Sequence, residues 1–356
     1  MSFMRFRSFF TQFFDRAPAL AGAVFFGCLG LATTGCDKKA GTPEWGAPED
    51  VAPAVNQESA PVRVPAPVNP SGNPPATESL NSSEGLRFIS YNVENWLTMD
   101  RYVDRKLAKN LPKPESEKQA LVKLLTNQAP DVIGLCEIGE TSDLKEVQSA
   151  LKAAGLDLPF THYVGGSDPV RHQGLLSKFP ITSTAKPAET EFKMSGRTFG
   201  INRGILDASI DAGGKQYRLI GVHLKSKREV KDVDQEEMRI HEARLLRRHV
   251  DSILQSEANA RLIVYGDFND TRPSKTFKSV TGSYNDPGYL TAIPAKDSRG
   301  EAWTHYWEPH DIYSRIDFIT VSRALRPEVD FRASRIIDDP TWNEASDHRP
   351  VLAIFK

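Results

Sequence analysis

From Leu86 to Phe355 the chain alternates short runs rich in Val, Ile, Phe and Tyr with amphipathic stretches. Leu86–Tyr91, Asp131–Cys136, Gly174–Lys178, Gly204–Ile210, Tyr217–His223, Leu262–Tyr265, Ile316–Val321 and Pro350–Phe355 predict strands. Glu115–Gln128, Leu144–Ala154 and Gln235–Leu254 predict helices; in the last, Met238, Leu245, Leu246, Val250, Ile253 and Leu254 share one face at helical spacing. Asp211-Ala212-Gly213-Gly214, between two strand-like runs, predicts a hairpin turn. Hairpins together with helical crossovers call for mixed sheets, so the expected class is α/β with no purely parallel sheet.

The apolar runs end in, or are bracketed by, residues that bind metal or move protons: Asn92, Glu137, His223, Asp267 with Asn269, Asp317, and Asp347 with His348. Strand ends converge on one rim of a sheet, so residues far apart in sequence can meet there. Singly, each has a plain reading. Asp or Asn after a strand usually only makes a turn, and a lone histidine at a strand end is more often a satisfied structural side chain. It is their joint occurrence that points to a site.

Charge narrows the class of partner. The whole chain has 45 Lys and Arg against 46 Asp and Glu, which excludes a protein that holds nucleic acid by bulk positive charge. That balance averages three unlike parts: three bases and one acid over residues 1–36, three bases and six acids over 37–83, and 39 of each over 84–356. Metal-centred recognition of one phosphate by a few local cations remains open to such a chain.

The N-terminal part predicts export. Arg5, Arg7 and Arg16 precede the apolar stretch Ala19–Ala32, shorter than the roughly 20 residues that cross a bilayer and of signal-peptide length. Thr33-Thr34-Gly35-Cys36 resembles a bacterial lipobox, with Thr33 where leucine is preferred. Residues 1–36 are therefore expected to be a lipoprotein-type signal, with Cys36 lipidated and the exported protein anchored to a bacterial membrane of the cell envelope, or secreted if Cys36 is not lipidated. Nine prolines over residues 37–83 predict an extended tether, and residues 84–356 a single catalytic domain. Cys28 leaves with the signal, and Cys136 remains as a strand thiol suited to packing.

The ordered motifs YNVEN (91–95), GLCEI (134–138), GLLSKFPI (174–181), GVHLKSK (221–227), GDFND (266–270), SRIDFI (314–319) and SDHRP (346–350) resemble the endonuclease/exonuclease/phosphatase superfamily, with its DNase I-like fold. The resemblance spans residues 84–356 and is nearest to bacterial extracellular nuclease-type members. It implies a four-layer α/β sandwich, two mixed sheets packed face to face with helices outside, and an active site at one end. It also implies a Mg²⁺-dependent phosphoric ester hydrolase, with Mn²⁺ or Ca²⁺ as possible substitutes, since oxygen ligands suit a hard cation. Zinc is not expected, because no histidine or cysteine pair has a zinc-site spacing.

Carried over by motif, Glu137 is the main metal ligand, assisted by Asn92. His348 is general base or phosphate-polarising imidazole, oriented by Asp317. His223 contacts a phosphate oxygen or the leaving group, Asp267 and Asn269 position water and phosphate, and Asp347 holds metal or supports His223. Arg171, Arg203 and Lys225 are the expected substrate phosphate contacts; Lys227 and Arg228 read equally as a solvated turn, and Arg315 precedes the Asp317 strand. Interleaved signs on the long helix, Arg239, Arg244, Arg247 and Arg248 with Glu236, Glu237 and Glu242, predict a salt-bridged exposed face.

The expected substrate is a nucleic-acid phosphodiester, cut by a monomer. Abasic-site repair is disfavoured by export and by Ile138-Gly139 after Glu137. Alternatives are a sphingomyelinase-like phospholipid phosphodiesterase, an inositol or sugar phosphatase, and a lipoprotein that uses the fold only for binding. A lipid enzyme would want an exposed aromatic hairpin; Trp303-Thr304-His305-Tyr306-Trp307 is a candidate, read here rather as a core cluster.

Overall fold

The computed structural model describes residues 85–356 apart from 105, 229 and 232. The expected export segment, Cys36 and the proline-rich tether lie outside the described residues. Among those described, no helix is long and apolar enough to cross a membrane.

Twelve strands form two six-stranded sheets. The first runs Arg335–Ile336, Val351–Phe355, Leu86–Trp96, Val132–Ile138, His172–Ser177, Phe160–Val164. The second runs Thr291–Ala292, Asp317–Val321, Leu262–Asp267, Lys215–His223, Ile205–Ala212, Ile181–Thr184. Each has one parallel pair at its centre, Leu86–Trp96 beside Val132–Ile138 and Lys215–His223 beside Leu262–Asp267, with antiparallel neighbours. A parallel pair needs a long crossover. Helix α1 (Glu115–Gln128) supplies it in the first sheet and helix α3 (Gln235–Ser256) in the second; helix α2 (Thr141–Ala153) leads out of the Val132–Ile138 strand.

Local signals fix the helix ends. Ala129 closes α1 in the left-handed conformation, Glu140 and Asp143 form a capping box on α2, and the Asp234 side chain accepts from Glu237 N at the start of α3.

Three apolar cores define four layers. One lies between the sheets and joins Phe88, Val132 and Leu175 of the first to Leu206, Leu219, Ile263 and Tyr265 of the second. A second packs Leu121, Leu124, Leu144 and Val147 of α1 and α2 on the outer face of the first sheet. The third packs Met238, Leu245, Leu246 and Val250 of α3 on the outer face of the second. Burying a side chain such as Leu246 stabilises by about 1.5–3 kcal/mol relative to exposure. The four-layer α/β sandwich expected from the sequence is the fold observed.

The long, strongly patterned elements fall where the sequence places them, α1 to the residue. The edge strands Phe160–Val164 and Ile181–Thr184 and three small hairpins, Met99–Leu111, Glu191–Gly200 and His305–Ser314, are additions.

Candidate active site

The site forms where the central strands of both sheets end. In the second sheet, His223 is in register with Asp267, and Asp267 with Asp317. Three adjacent strands thus set three polar side chains on one rung. In the first sheet Asn92 is level with Cys136, and the register then breaks, between Asn92 and Trp96 on one strand and between Cys136 and Ile138 on the next. Glu137 occupies that break with φ 67°, and a bulge of this kind re-aims a side chain out of the ladder. Glu94 (φ 49°), Asn95 (φ 60°) and Asn269 (φ 50°) are also left-handed. Such conformations in non-glycine residues cost on the order of 1 kcal/mol each and gather at functional sites. Gly266 (φ +130°) precedes Asp267; a Cβ there would stand 1.9 Å from Val222 O, so only glycine lets the strands approach at this rung.

Asn92 joins the two sheets. Its Nδ2 donates to Asp267 Oδ2 at 3.1 Å and lies 3.4 Å from Glu137 Oε1, while its Oδ1 accepts from Glu94 N. Glu137 Oε2 accepts from Asn95 N at 3.0 Å. His348 Nδ1 lies 2.8 Å from Asp317 Oδ2, and its Nε2 is 3.8 Å from Asp267 Oδ2. The Thr304 hydroxyl accepts from both Ile316 N and Asp317 N at 3.1 Å, fixing the start of the Asp317 strand. Asp267 Oδ1 accepts from Asn269 N at 2.7 Å, and Asn269 Nδ2 donates to Leu224 O. His223 Nε2 stands 3.7 Å from Asp267 Oδ2 and 3.9 Å from Glu137 Oε1; its Nδ1 is buried without a hydrogen bond.

Burial and charge drive these groups apart. Burial, then the Asp317 carboxylate, pushes Asp267 up to about 7. Burial alone would depress His348, but Asp317, Asp347 and Asp267 outweigh it and hold the imidazole well above its ordinary value. His223 is pushed well below its ordinary value by burial and by the cations Arg203, His348, Arg171 and Lys225. These shifts favour the imidazolium form of His348, the neutral imidazole of His223 and the protonated carboxyl of Asp267. Cys136 is buried, its Sγ is 3.5 Å from Val222 O, and burial raises its thiol well above the usual range, so it packs rather than reacts.

The expected phosphate contacts stand around His223. Arg171 Nε donates to Asn95 Oδ1 at 2.8 Å and lies 4.0 Å from Glu137 Oε2. Arg203 is buried, 3.3 Å from Asp168 Oδ2, and its Nε and Nη1 make no hydrogen bond. Lys225 N donates to Glu242 Oε2 at 2.6 Å and Asn202 N to Glu242 Oε1 at 2.8 Å. One fully buried carboxylate on α3 therefore clamps the two loops that carry Arg203 and Lys225. This corrects the reading of α3 as an exposed salt-bridged face. Arg248–Glu189 is a surface pair, but Arg247, paired with Asp251 and donating to Val280 O, is mostly buried, and Glu242 and Arg239 turn inward, Arg239 Nε lying 3.3 Å from Asp270 Oδ2. The signal was present: position 242 sits one turn from Met238 and one from Leu246, on the apolar stripe. Arg315 also turns inward, donating to the carbonyls of Ala295 and Ile293, and Lys227 pairs with Asp270.

Residues 303–307 are not a core cluster. His305–Trp307 pairs with Ile312–Ser314 in a hairpin whose Trp307 and Tyr313 are 40% and 53% exposed. Its base is held by Trp303, which packs on Trp342 and Tyr313 and lies 3.9 Å from the buried Arg349 guanidinium. Asp347 keeps company with histidines, its carboxylate 3.9 Å from His348 Nε2 and 3.7 Å from His305 Nε2. Around Glu137 the donors are carboxylate and amide oxygens, and a half-turn of the Asn92 amide presents Oδ1 beside them. Such a donor set fits a hard cation of the Mg²⁺ kind.

The family model described as Endonuclease/Exonuclease/phosphatase family matches residues 90–348. No curated protein matches the chain. Among solved structures, an endonuclease/exonuclease/phosphatase from Bacteroides vulgatus is 17% identical with a TM-score of 0.54, over 77% of this chain and 99% of its own. Sphingomyelinase C from Streptomyces griseocarneus is 15% identical with a TM-score of 0.51, over 77% and 100%. A beta toxin variant from Staphylococcus aureus with bound magnesium ions is 15% identical with a TM-score of 0.51, over 77% and 100%. At these identities the likeness is one of fold.

Proposed function

The chain belongs to the endonuclease/exonuclease/phosphatase family, whose members are phosphoesterases, and we propose that it is a divalent-metal-dependent phosphodiesterase acting on nucleic acid. The observation that carries this reading is the buried rung His223–Asp267–Asp317, with His348 bonded to Asp317 and Asn92 linking Asp267 to Glu137. A phosphodiester is anionic and resists water, so its hydrolysis needs charge neutralisation, a proton acceptor and a proton donor.

Each need has a group. Asp267, ionised above about 7, takes a proton from a water held with Asn269. His348 polarises a phosphoryl oxygen from Nε2 and gives that proton to the leaving oxygen as its bond to phosphorus breaks, and Asp317 keeps it oriented and charged. His223, neutral and wedged between Glu137 and Asp267, contacts a second phosphoryl oxygen. Arg171, Arg203 and Lys225 meet substrate phosphates, and three cations on one side of the site suit a polyanion better than a lone phosphoryl group. Glu137 and Asn92 would hold Mg²⁺, which when bound supplies charge neutralisation at the phosphoryl and leaving oxygens; the Staphylococcus aureus neighbour carries magnesium ions.

One feature favours a second reading. The hairpin with exposed Trp307, Ile312 and Tyr313 suits insertion into a lipid surface, and one neighbour in fold is a sphingomyelinase C. We extend the proposal to export and lipidation at Cys36, supported by the basic and apolar N-terminal sequence; a Cys36→Ser chain that still took up labelled acyl groups would refute it.

The deciding experiment compares purified protein on bis(p-nitrophenyl) phosphate, plasmid DNA, RNA, sphingomyelin and inositol phosphates, with Mg²⁺ and with EDTA. Turnover of the aryl diester and a nucleic acid, abolished by EDTA, is expected. No turnover with Mg²⁺, Mn²⁺ or Ca²⁺ would sink the enzyme reading, and sphingomyelin as the preferred substrate would replace nucleic acid with lipid.

A further inference from the structure

His305 closes a group that no motif in the sequence announces. One ligand atom each from His305, Asp347 and His348 lie within 4.8 Å of one another. The two histidines are 43 residues apart in sequence, but their segments are joined by an antiparallel bridge at His305 and His348. Tyr306 N donates to Asp347 O at 3.2 Å and Arg349 N to Thr304 O at 2.6 Å. The buried Arg349, paired with Asp297 at 2.8 Å and stacked on Trp303, anchors that bridge from behind. The imidazole rings stand 4.6 Å apart. The backbone positions of all three side chains are thus fixed by contacts that involve no ion.

The chemistry of the group differs from that of Glu137 and Asn92. His348 Nδ1 is committed to Asp317, which leaves Nε2 between Asp267 at 3.8 Å and Asp347 at 3.9 Å, with the His305 ring beside it; a carboxylate–histidine pair of this kind orients a metal-ligating imidazole. Two imidazole nitrogens and one carboxylate oxygen suit an ion of borderline softness and are poor ligands for Mg²⁺. Tetrahedral Zn²⁺ with bonds of about 2.0–2.1 Å places its donors roughly 3.3 Å apart. The present separations are 3.7 Å from His305 Nε2 to Asp347 Oδ2 and 3.9 Å from His348 Nε2 to Asp347 Oδ1, and one ligand atom from each residue lies within 4.8 Å of the others, so side-chain closure of about an ångström brings the three onto one ion. His305 and Asp347 are part-exposed, at 21% and 34% of their side chains, which gives an ion both entry and room for that closure.

We propose that His305, Asp347 and His348 form a binding site for a divalent transition-metal ion, Zn²⁺ foremost, separate from the oxygen-rich site at Glu137, and that an ion bound there inhibits catalysis. Binding displaces the Nε2 proton of His348 to solvent and takes the Nε2 position that the proposed reaction uses to reach phosphate. The inhibitory half rests on the function proposed above; the binding half does not.

The test titrates Zn²⁺ into the full chain by calorimetry in excess Mg²⁺, then repeats this with His305→Gln, His305→Phe and Glu137→Gln, each checked for folding by near-ultraviolet circular dichroism. One Zn²⁺ per chain is expected. Affinity should fall about tenfold or more in both His305 variants, on the scale known for disturbed metal ligation, and persist in Glu137→Gln. Co²⁺ in the unaltered chain should give the intense visible bands of a four-coordinate site, a readout that depends on no variant. Zinc affinity unchanged at His305, zinc affinity lost with Glu137, or a weak octahedral cobalt spectrum would each overturn the site. In Mg²⁺-supported turnover of the aryl diester, Zn²⁺ should inhibit the unaltered chain at about a tenth of the concentration needed for the His305 variants, each scaled to its own zinc-free rate. Binding without inhibition refutes the inhibitory half; no turnover at all refutes the proposed function and leaves the calorimetric result standing.

Discussion

His348 Nδ1 and Asp317 Oδ2 stand 2.8 Å apart, both side chains buried, one at the start of the Asp317–Val321 strand and the other just before Val351–Phe355. The bond spans the two sheets. It also decides the charge of His348, because Asp317 is the first of the carboxylates that outweigh burial and keep the imidazole protonated.

Replacing Asp317 by Asn therefore lowers the His348 pKa. The alkaline limb of the kcat/KM profile should move to lower pH, and kcat at neutral pH should fall by about 10²–10⁴-fold, the range for a displaced acid–base group. The stability linkage has the same sign. A raised folded-state pKa contributes stability that is complete below about 6.5 and is lost as pH rises through the folded value, so the variant should lose stability mainly on the acid side. A pH–rate series in Mg²⁺ checks the first point. An unmoved alkaline limb with full kcat would exclude His348 as the proton donor.

Asp267 carries a linkage of the same sign, felt as a cost of ionisation rather than as a gain from protonation. Its folded value rises from 3.8 to about 7, so ionisation favours the unfolded chain as pH climbs between those values, and the cost is complete above about 7. Asp267→Asn should abolish turnover yet stabilise the metal-free fold at pH 8, with little effect at pH 4. Urea unfolding in EDTA at the two pH values measures this. A variant less stable than the parent at pH 8 would mean that the carboxylate is paired rather than poised.

Glu242 tests how the cationic side of the site is held. The carboxylate accepts from Asn202 N and Lys225 N at once, and glutamine can accept at only one oxygen while its amide meets the other N–H. Glu242→Gln should cost about 1–3 kcal/mol for the unsatisfied buried donor. It should raise KM for nucleic acid more than it lowers kcat, because Arg203 and Lys225 shift while the Asp267–His348 rung does not. Steady-state kinetics on DNA and on the aryl diester separate these; a fall in kcat alone would remove Glu242 from substrate positioning.

How far the sequence reveals this site follows from the kind of signal each residue leaves. Asn92, Glu137, His223, Asp267 and Asp317 end or begin long apolar strands, so period and position locate them before any coordinate is known. Glu242 and Arg239 were harder to see because local alternation of charge suggests solvent, and only the loops that dock on α3 supply the buried N–H groups that turn them inward. His305 left still less. It sits in a three-residue strand amid aromatics, and its meaning depends on a bridge to His348 that no local pattern encodes. Small hairpins are short of residues for any period to register, and their pairing is decided by tertiary contacts such as Arg349 on Trp303.

The spacing of the sheets, on which the site depends, is set in part at Gly134. Gly134 lies in the Val132–Ile138 strand that carries Glu137, and a Cβ there would stand 2.0 Å from Tyr265 Cε2, in the strand that ends at Asp267. The Tyr265 ring is fully buried, edge-on to Phe88 with centroids 4.7 Å apart, and its hydroxyl would meet a Cβ at Gly221 at 2.7 Å. It has no free space to retreat into, so Gly134→Ala must part the sheets or displace the ring, at a cost of about 1–3 kcal/mol. Parting them moves Glu137 away from Asp267, which should weaken Mg²⁺ activation as well as stability. Tyr265→Leu removes the ring edge and opens a gap that alanine at 134 can fill. The double variant should therefore recover stability relative to the sum of the singles, by about 0.5–3 kcal/mol of coupling in a double-mutant cycle. A coupling near zero would show that the two strands tolerate separation at this level, and that the spacing of Glu137 and Asp267 does not depend on the Gly134–Tyr265 contact.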